Sequence, residues 1–438
     1  MKTILLAAGQ SKRVKPIADK CFVKICGKTL IEWQLEALKK AKFTDVVLVG
    51  NAANVKRLKE LQIKGMRLAV VEQVDLKGGM KGAMMAAKMA VIGEDAILVV
   101  SSNDVVDQEL WAKVRMAVDE DDEAEGMMVG YRVSRYFPGG YLSIDSDGNV
   151  KAVLEKPGEG KEPSDLVNLV IHVHRDVKAL YKALEAVKSR ADDQYERALQ
   201  KLFDTHHRYT VIPYDGFWQA VKYPWNFLRL NEFFLGQLKK SISPKSTVAK
   251  TAVINGPVVI EAGVKVFDHA VINGPAYIGK DSIVGNHALV RQSSLGERCV
   301  AGSYTEVARS LLQNEVWTHK NYLGDSVIGS NVSFGSGTVT GNLRLDEADI
   351  WMQIDGDKVN SRTNKLGLIC GDDVRVGINT SFMPGVKVGR NCMIGAELSV
   401  GQDIPEGSYV KKGNASTGSA SPSGLEVREN ERVVGRRG

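Results

Sequence analysis

Residues 248–290 carry the sequence VAKTAVINGPVVIEAGVKVFDHAVINGPAYIGKDSIVGNHALV, in which every sixth residue is apolar. The residues at this spacing are Val248, Ile254, Ile260, Val266, Ile272, Ile278, Val284 and Val290. A period of six fits neither an α-helix nor a strand of a simple hairpin sheet, whose periods are about 3.6 and 2. Hexapeptide repeats of this kind wind a parallel β-helix, in which one apolar side chain per side points inward. The stretch therefore predicts a prism of short strands.

The same period returns closer to the carboxyl end, at Cys370, Val376, Phe382, Val388, Ile394 and Val400. Between the two runs it breaks at residues 309–323 and again at residues 344–368, and breaks in a repeat architecture are typical of functional insertions. We therefore predict a β-helix domain over residues 246–412, with a candidate site at the breaks. Residues 413–438 are poor in large apolar side chains, and we predict that they are disordered.

Composition is typical of a soluble protein with more than one domain. The 438 residues fit two or three domains of about 100 to 200 residues each. No apolar run approaches about 18 residues and the start of the chain lacks a signal-peptide pattern, so we expect a cytoplasmic protein without a membrane partner. Five cysteines without paired spacing indicate reduced thiols. A net charge of +6, spread along the chain, suits anionic small molecules, and we expect no nucleic-acid partner.

Ahead of the repeat, strand-like and helix-like segments alternate. Residues 3–7 (TILLA) predict a buried strand, residues 30–41 (LIEWQLEALKKA) an amphipathic helix, and residues 46–49 the next strand. Alternation of this kind predicts an α/β domain with a parallel sheet between layers of helices. Ligands of such sheets bind beyond the carboxyl ends of the strands, so the loops after Ala7 and Val100 are the first candidates for a site.

The first of these loops carries a glycine and two cationic side chains. It begins with Leu6-Ala7-Ala8-Gly9-Gln10-Ser11-Lys12-Arg13 and continues to Lys20. A glycine just past a strand lets backbone N–H groups approach phosphates closely, while Arg13 and Lys20 supply fixed positive charge to polyphosphate oxygens. By itself, a G-x-x-x-R turn is more often structural than functional.

The second loop, Ser101-Ser102-Asn103-Asp104, places a carboxylate at the end of the strand predicted over residues 96–100. A Mg²⁺ ligand belongs at such a position, because Mg²⁺ is usually held by one or two carboxylates together with substrate phosphates. The alternative is that Asp104 is the N-cap of a helix that starts near Val106. Position alone does not separate the two interpretations.

Taken in order, these motifs resemble those of the sugar-phosphate nucleotidyltransferases. Residues 1 to about 410 resemble the bifunctional sugar-1-phosphate uridyltransferase and amino-sugar-1-phosphate acetyltransferases, in particular their archaeal-type branch. The resemblance implies an α/β, Rossmann-like nucleotidyltransferase domain followed by a left-handed parallel β-helix of hexapeptide repeats. It implies catalytic roles for Arg13 and Lys20 and a Mg²⁺-binding role for Asp104. It further implies nucleotide contacts by Ala8, Gly9, Gln73, Gly78 and Gly79, and sugar contacts by Gly140, Glu155 and Asn168.

The implied reaction is in-line attack by a phosphate oxygen of a sugar 1-phosphate on the α-phosphorus of UTP, which releases pyrophosphate. Positioning and charge neutralisation carry nearly all of such a reaction. By resemblance, Arg13 holds the departing pyrophosphate and Lys20 holds the α-phosphate. No protein nucleophile is required.

The chain departs from this family pattern at two places. Ser11 and Lys12 stand where the family has glycine and threonine. The family's Trp-x-Asp segment, which supplies a second metal ligand, reads Trp218-Gln219-Ala220 here, and alanine cannot bind a metal. Three explanations remain open. Asp215 or Asn226 could be a substitute metal ligand, or Lys222 could neutralise charge in place of part of the metal's role. The third explanation is that the first half is slow or inactive. We expect this half to be active.

The repeat region resembles the acetyltransferase half of the same family at residues 319–326 (HKNYLGDS) and 332–338 (VSFGSGT). The resemblance implies that His319 is the general base. An ammonium group must lose its proton before it attacks a thioester, and an imidazole with a pKa near 6.5 is suited to accept that proton. The resemblance further implies sugar-phosphate contacts by Arg291, Arg309, Tyr322 and Asn342.

These features predict a bifunctional enzyme that acetylates glucosamine 1-phosphate, or its galactose epimer, with acetyl-CoA and then transfers UMP from UTP with Mg²⁺. We place the nucleotidyltransferase domain at residues 1–225 and a linker helix at residues 226–245. Family members assemble through the prism, and we expect a homotrimer. The alternatives are a regulatory or scaffold protein with an inactive first half, which Ala220 makes conceivable, and a monofunctional thymidylyl- or guanylyltransferase. A base at His319 favours the bifunctional enzyme.

Overall fold

A computed structural model describes residues 1–189, 193–413 and 425–430. The chain divides into two compact units, of which the first comprises Met1–Gln10 and Ile31–Ala220 and the second comprises Ser11–Leu30 and Val221–Gly438. The division after Ala220 lies close to the domain boundary predicted at residue 225. Residues 11–30, which the sequence placed in the first domain, pack instead with the second unit.

Helices and longer strands dominate the chain up to residue 236. The helices are α1 (Leu30–Lys40), α2 (Val55–Lys59), α3 (Gly79–Val91), α4 (Gln108–Glu120), α5 (Val177–Ala186), α6 (Gln194–Asp204) and α7 (Asn226–Gly236). The strands are β1 (Lys2–Leu6), β2 (Lys24–Ile25), β3 (Lys28–Thr29), β4 (Asp45–Gly50), β5 (Arg67–Glu72), β6 (Ile97–Ser101), β7 (Asp104–Val106), β8 (Gly126–Arg132), β9 (Gly140–Ile144), β10 (Val150–Glu155), β11 (Leu166–His174), β12 (Tyr209–Tyr214) and β13 (Trp218–Ala220). Short 3-10 helices occupy Lys12–Val14, Lys20–Phe22 and Leu76–Gly78.

The first unit is built on a sheet with the strand order β10-β9-β11-β6-β1-β4-β5, and β8 joins β11 to β12. Strands β6, β1, β4 and β5 are parallel neighbours, whereas β11 runs antiparallel to β6. Parallel strands covered by helices on their faces are apolar throughout, as the fully buried run Ile97–Val100 illustrates. The carboxyl ends of the four parallel strands therefore meet at one edge, as the α/β prediction required.

The second unit consists mainly of short parallel strands. They are β14 (Ser241–Ile242), β15 (Thr247–Val248), β16 (Val253–Asn255), β17 (Val258–Ile260), β18 (Lys265–Val266), β19 (Val271–Asn273), β20 (Ala276–Ile278), β21 (Ile283–Val284), β22 (Leu289–Arg291), β23 (Ser294–Leu295), β24 (Val300–Ala301), β25 (Glu306–Ala308), β26 (Leu311–Leu312), β27 (Val316–Thr318), β28 (Tyr322–Gly324), β29 (Val327–Ile328), β30 (Val332–Phe334), β31 (Val339–Thr340), β32 (Trp351–Ile354), β33 (Asp357–Asn360), β34 (Ile369–Cys370), β35 (Arg375–Val376), β36 (Ser381–Phe382), β37 (Lys387–Val388), β38 (Met393–Ile394), β39 (Ser399–Val400), β40 (Ser408–Lys412) and β41 (Leu425–Glu429).

These strands, apart from β32 and β33, form three stacked sheets. Up to β39 the strands enter the three sheets in rotation, so that each coil contributes one strand to each sheet, and β40 and β41 then extend the sheet of β38. The apolar residues of the hexapeptide period form one continuous buried core along the axis. This is the β-helix that the period predicted.

The two breaks in the period have different structural causes. Residues 309–323 contain no insertion, contrary to the prediction, because their strands continue the three ladders; Leu311 pairs with Val327, so this coil is shorter than the coils between Val258 and Ala276. Residues 344–368 do contain an insertion, namely the antiparallel hairpin β32–β33. A shortened coil, rather than an added loop, therefore changes the spacing at the first break.

The tail prediction is wrong for Leu425–Glu429, which forms β41 and pairs antiparallel with β40. The remaining tail residues, 414–424 and 431–438, lie outside the described residues. Within the predicted linker, residues 226–245, helix α7 ends at Gly236 and the first strand of the β-helix already begins at Ser241. None of the helices in the described ranges could cross a membrane.

The segment that carries Arg13 and Lys20 is anchored to the β-helix through the hairpin β2–β3. The side-chain amide of Gln313 accepts a hydrogen bond from Lys24 N at 2.9 Å and donates one to Lys24 O at 2.9 Å. The Lys24 ammonium lies 2.8 Å from a Glu297 carboxylate oxygen. These bonds explain why residues 11–30 pack with the second unit.

Candidate active sites

Two asparagines hold the loop that follows β1. Asn51 Nδ2 donates to Ala8 O at 2.9 Å and lies 3.4 Å from Gly9 O, while Asn54 Nδ2 donates to Ala7 O at 2.9 Å. These two asparagines therefore hold the backbone carbonyl groups at the start of the loop. Neither asparagine was predicted from the sequence, although their place directly after the buried strand β4 was a usable signal.

The next residues of the loop follow the predicted pattern only in part. Ser11 has φ +54, a left-handed conformation that glycine adopts without strain, so serine is a less suitable residue than glycine at this position. The Ser11 hydroxyl lies 3.4 Å from Lys20 N. Arg13 is exposed and has no ion-pair partner among the described residues, whereas the Lys20 side chain is buried.

Asp104 is the first residue of β7, and its carboxylate is oriented by a tryptophan. Trp218 Nε1 donates to Asp104 Oδ1 at 2.9 Å. Helix α4 is capped instead by Asp107, whose side chain accepts hydrogen bonds from the first backbone N–H groups of the helix. The alternative interpretation of Asp104 as an N-cap is therefore wrong.

The residue directly opposite Asp104 is Ala220, because β13 pairs antiparallel with β7 in that register. Trp218 pairs with Val106, so Asp215 lies beyond the other end of this strand pair and cannot replace a ligand next to Asp104. Among the described residues, no group of three or more His, Cys, Asp or Glu could hold a metal ion. One protein carboxylate fits a Mg²⁺ that arrives with a bound triphosphate, because Mg²⁺ takes its other ligands from phosphates and water.

Asn226, the second substitute considered from the sequence, has a local structural role. Its Oδ1 accepts hydrogen bonds from Lys222 N at 3.0 Å and Tyr223 N at 2.8 Å. The carboxamide oxygen thus stabilises the turn that precedes α7. Of the three substitutes, Lys222 is the one whose side chain would add a positive charge instead of a metal ligand.

The Gln73 side chain forms hydrogen bonds within the segment that carries the predicted nucleotide contacts Gln73, Gly78 and Gly79. Gln73 Nε2 donates to Asp75 O at 3.0 Å and to Gly79 O at 2.9 Å, which leaves Oε1 as the amide atom that can accept from a ligand. Gly79 begins α3 with φ +52, a conformation that favours glycine, whereas a side chain at Gly78 would meet nothing within 4 Å. The absence of a side chain at Gly82 leaves room for the Gln73 carboxamide, since a Cβ at Gly82 would lie 2.6 Å from Gln73 Nε2.

The three predicted sugar contacts converge on neighbouring strands. Gly140 and Glu155 are directly paired between β9 and β10. A Cβ at Gly140 would lie 2.9 Å from Glu155 Oε2 and 3.7 Å from Asn168 Cβ. Asn168 lies toward the Ser101 end of β6, because β11 runs antiparallel to that strand. Glycine at 140 therefore leaves open space between a carboxylate and a carboxamide.

The predicted base of the second site, His319, lies at a corner of the β-helix after β27 and is exposed. Its backbone N–H donates to the side chain of Asn321, whose Nδ2 donates in turn to Gly335 O at 2.8 Å in the next coil. A Cβ at Gly302 would lie 3.1 Å from His319 Nδ1, so glycine makes room for the imidazole. Trp317, two residues earlier, is 45% exposed.

Three predicted sugar-phosphate contacts of this half meet around Asp325, which is only 6% exposed. Arg309 binds it in a bidentate manner, with Nε at 2.6 Å and Nη2 at 2.7 Å from its two oxygens. This hydrogen bonding raises the pKa of Arg309. Asn342 Nδ2 donates both to Asp325 Oδ2 and to the Tyr322 hydroxyl. Asp325 belongs to one of the motifs given above, but its position at the centre of this cluster was not predicted from the sequence.

Arg291 is likewise paired already, since its Nε and Nη2 lie 2.8 and 2.7 Å from Glu306 Oε1. It ends β22, and the Arg309 backbone N–H donates to Arg291 O at 3.0 Å. The two arginines are therefore stacked on successive coils. Each guanidinium retains N–H groups that can donate to a phosphate beside its carboxylate partner.

Comparisons with known proteins show the family of the chain. The family model described as nucleotidyl transferase matches residues 2–235. A relative from Sulfurisphaera tokodaii, named bifunctional sugar-1-phosphate nucleotidylyltransferase/acetyltransferase, is 32% identical over 94% of this chain and 100% of its own length. The bifunctional protein GlmU of Methanocaldococcus jannaschii is 32% identical over 94% of this chain and 98% of its own, and that of Clostridium novyi is 24% identical over 93% and 94%. The chain belongs to the nucleotidyl transferase family and, over almost its whole length, to the bifunctional sugar-1-phosphate nucleotidylyltransferase/acetyltransferases.

Proposed function

We propose that the protein acetylates an amino-sugar 1-phosphate with acetyl-CoA and then joins the product to UMP from UTP, which yields a UDP-N-acetyl sugar such as UDP-N-acetylglucosamine. The observation that carries this proposal is the convergence of the loops after β1, β5 and β6 at one edge of the sheet, with Gly140, Glu155 and Asn168 grouped on the adjoining strands. A triphosphate and a sugar phosphate have matching sites in such an arrangement.

In the nucleotidyl transfer, a phosphate oxygen of the sugar 1-phosphate attacks the α-phosphorus of UTP. The bond to the β-phosphate breaks, and pyrophosphate leaves. Backbone N–H groups at Ala8 and Gly9 face the phosphates, Arg13 neutralises the departing pyrophosphate, and Lys20 neutralises the α-phosphate. Gln73 orients the uracil through its Oε1. These groups position two polyanions, which is the main requirement of the reaction.

Asp104 would hold the Mg²⁺ that accompanies the triphosphate, with Trp218 keeping the carboxylate in place. The ion would supply further neutralisation of the phosphate oxygens. Because Ala220 stands where a second carboxylate could lie, the protein contributes one acidic ligand and depends on the nucleotide for the rest. We therefore expect activity only at higher Mg²⁺ concentrations than two carboxylates would require.

In the acetyl transfer, the amino nitrogen of the sugar attacks the thioester carbonyl, a C–N bond forms and the C–S bond breaks. His319 accepts the ammonium proton and returns one to the sulfur of the departing CoA. The cluster around Asp325 orients the sugar through Tyr322 and Asn342, while Arg291 and Arg309 contact its phosphate. The exposure of His319 leaves it accessible to both substrates.

We further infer a homotrimer of cytoplasmic location, packed through the β-helix. Its apolar side chains that remain exposed include Trp317 beside His319, together with Phe267 and Val253. Exposed large apolar groups on a rigid prism favour closed symmetric assembly. Light scattering coupled to gel filtration would measure a mass three times that of the chain, and a monomeric mass in the active preparation would contradict the assembly.

Two parallel assays test the activities. Pyrophosphate release is measured with UTP, Mg²⁺ and N-acetylglucosamine 1-phosphate, and CoA thiol release with acetyl-CoA and glucosamine 1-phosphate; thymidine and guanosine triphosphates and the galactose epimers serve as comparison substrates. Asp104→Asn keeps the size of the side chain and should abolish the first activity only. A folded wild-type protein that releases CoA but no pyrophosphate would instead support the inactive first half that Ala220 makes conceivable.

A further inference from the structure

Behind the sugar contact Asn168 lies a chain of buried side chains, which we call the polar chain. The Tyr209 hydroxyl lies 2.7 Å from His174 Nδ1, and His174 Nε2 lies 3.0 Å from the Tyr195 hydroxyl. The same hydroxyl lies 3.0 Å from His172 Nδ1, and His172 Nε2 lies 2.9 Å from Asn168 Oδ1. Five side chains thus form one unbranched line of hydrogen bonds that ends at the candidate sugar site.

The fold brings these residues together from three separate elements. Asn168, His172 and His174 all lie on β11, whose pairing with β8 shifts register between Leu169 and His172. Their hydrogen bonds place the three side chains on the same side of the strand. Tyr195 comes from the first turn of α6 and Tyr209 begins β12. Both imidazoles are 0% exposed, so water does not complete their hydrogen bonding.

Both histidines are neutral in this environment. Burial lowers the pKa of His172 to about 3, against a smaller opposing effect of the Leu169 carbonyl. Burial and the neighbouring His172 lower the pKa of His174 well below its ordinary value. A neutral imidazole carries one N–H, so each ring donates one hydrogen bond and accepts one. The Tyr195 hydroxyl has one hydrogen and bonds to both rings, so it satisfies them only by donating to one and accepting from the other. The polar chain can therefore run in only two directions with all of these bonds formed.

In one direction, the Tyr209 O–H donates to His174 Nδ1, His174 Nε2–H donates to Tyr195, the Tyr195 O–H donates to His172 Nδ1, and His172 Nε2–H donates to Asn168 Oδ1. Every hydrogen then has an acceptor. In the reverse direction, the buried Tyr209 hydroxyl hydrogen has no acceptor among the described residues, which is unfavourable. Hydrogen counting selects the first direction.

We propose that the polar chain fixes the orientation of the Asn168 carboxamide, so that Oδ1 accepts from His172 and Nδ2 donates to an acceptor oxygen of the bound sugar 1-phosphate. Asn168 Nδ2 has no partner among the described residues. His172 and Tyr195 are positioning residues, since they act through Asn168. The identity of the ligand rests on the proposed function, whereas the direction of the chain does not.

The direction is measured by NMR on the whole protein, labelled with ¹⁵N in its histidines. Multiple-bond ¹⁵N–¹H correlations distinguish the two neutral tautomers, and His172→Phe identifies the signals of His172. We expect both His172 and His174 to be protonated at Nε2 only. A proton on Nδ1 of His172, or an imidazolium at neutral pH, would overturn the proposal even in a preparation with no turnover.

The consequence for the sugar is measured by kinetics with Tyr195→Phe, which interrupts the polar chain away from the ligand. The KM for the sugar 1-phosphate should rise about fivefold, the equivalent of one net hydrogen bond, while the KM for UTP stays unchanged. Tyr181→Phe is the matched control, because Tyr181 is equally buried in the same core but donates to Met84 O at 3.0 Å. Equal effects of the two variants on both KM values would show a general packing defect and refute the positioning role. A failure of the proposed function would give a different result, because the wild-type protein itself would then release no pyrophosphate.

Discussion

Replacing Ala220 with aspartate would place a second carboxylate directly opposite Asp104, and we expect this change to create a tighter Mg²⁺ site. The two residues are paired across β7 and β13, and Ala220 is 8% exposed. Side chains at directly opposite positions of an antiparallel pair have their Cβ atoms about 5 Å apart. Both carboxylates could therefore contact one ion.

The expected change in the free energy of unfolding follows from the repulsion between the two carboxylates, which a bound Mg²⁺ would relieve. Two unit negative charges about 5 Å apart in a medium of effective dielectric constant about 20 repel each other by about 3 kcal/mol. Without Mg²⁺, we expect Ala220→Asp to lower the free energy of unfolding by up to about this amount. With saturating Mg²⁺ the loss should disappear, and the Mg²⁺ concentration for half-maximal pyrophosphate release should fall about tenfold, because the ion gains a second carboxylate ligand.

The assay compares thermal unfolding with and without Mg²⁺ for the wild type, Ala220→Asp and Ala220→Asn. The asparagine variant has nearly the same shape without the charge, so it reports the cost of the added volume alone. Only Ala220→Asp should be stabilised selectively by Mg²⁺. If the aspartate and asparagine variants respond to Mg²⁺ alike, and the half-maximal concentration does not change, Asp104 is not part of a metal site.

Three further predictions concern other parts of the chain. His319→Ala should abolish CoA release from acetyl-CoA and amino-sugar 1-phosphate while pyrophosphate release continues; an equally active variant would contradict its role as base. Gly79→Ala should lower the unfolding free energy by about 1–3 kcal/mol and raise the KM for UTP, because φ is +52 there, whereas Gly78→Ala, with open space around it, should leave the unfolding free energy unchanged. Finally, His172 and His174 are buried and neutral in the folded protein and bind protons more readily when the chain is unfolded. The free energy of unfolding should therefore fall as the pH drops from about 6.5 toward 3, by up to about 1.4 kcal/mol per pH unit for each histidine. Chemical denaturation at stepped pH would detect this slope, and persistence of the slope in a variant with both histidines replaced by phenylalanine would exclude this cause.

Local patterns in the sequence predicted much of the fold. The hexapeptide spacing predicted the β-helix, and the buried strand at residues 3–7 predicted β1 because apolar periodicity reports directly on which side chains face a core. The shortened coil near Arg309 was misinterpreted as an insertion, since a break in a period does not reveal whether residues were added or removed. The strand Leu425–Glu429 was missed because its pairing partner, β40, lies earlier in the chain.

The sequence predicted motif residues of the candidate sites but not the residues that support them. Glycines, cations and carboxylates that follow strands are visible in the sequence, and Gly9 and Asp104 were predicted in this way, whereas Asn168, which lies within β11, was predicted from the resemblance alone. Their supporting residues were not, because Asn51 and Trp218 act on them from other elements. Spacing along the chain gives no information on which distant side chain reaches a given loop.

The repeat, the alternation of strands and helices and the order of the motifs could be identified from the amino-acid sequence, because each depends on residues close together along the chain. The folded structure was needed to show that Asp107 rather than Asp104 caps α4, that Ala220 faces Asp104, and that the polar chain ends at Asn168. These contacts depend on the fold because hydrogen bonds act over about 3 Å in space, whatever the separation in sequence. Folding sets those distances, and with them the chemistry of each site.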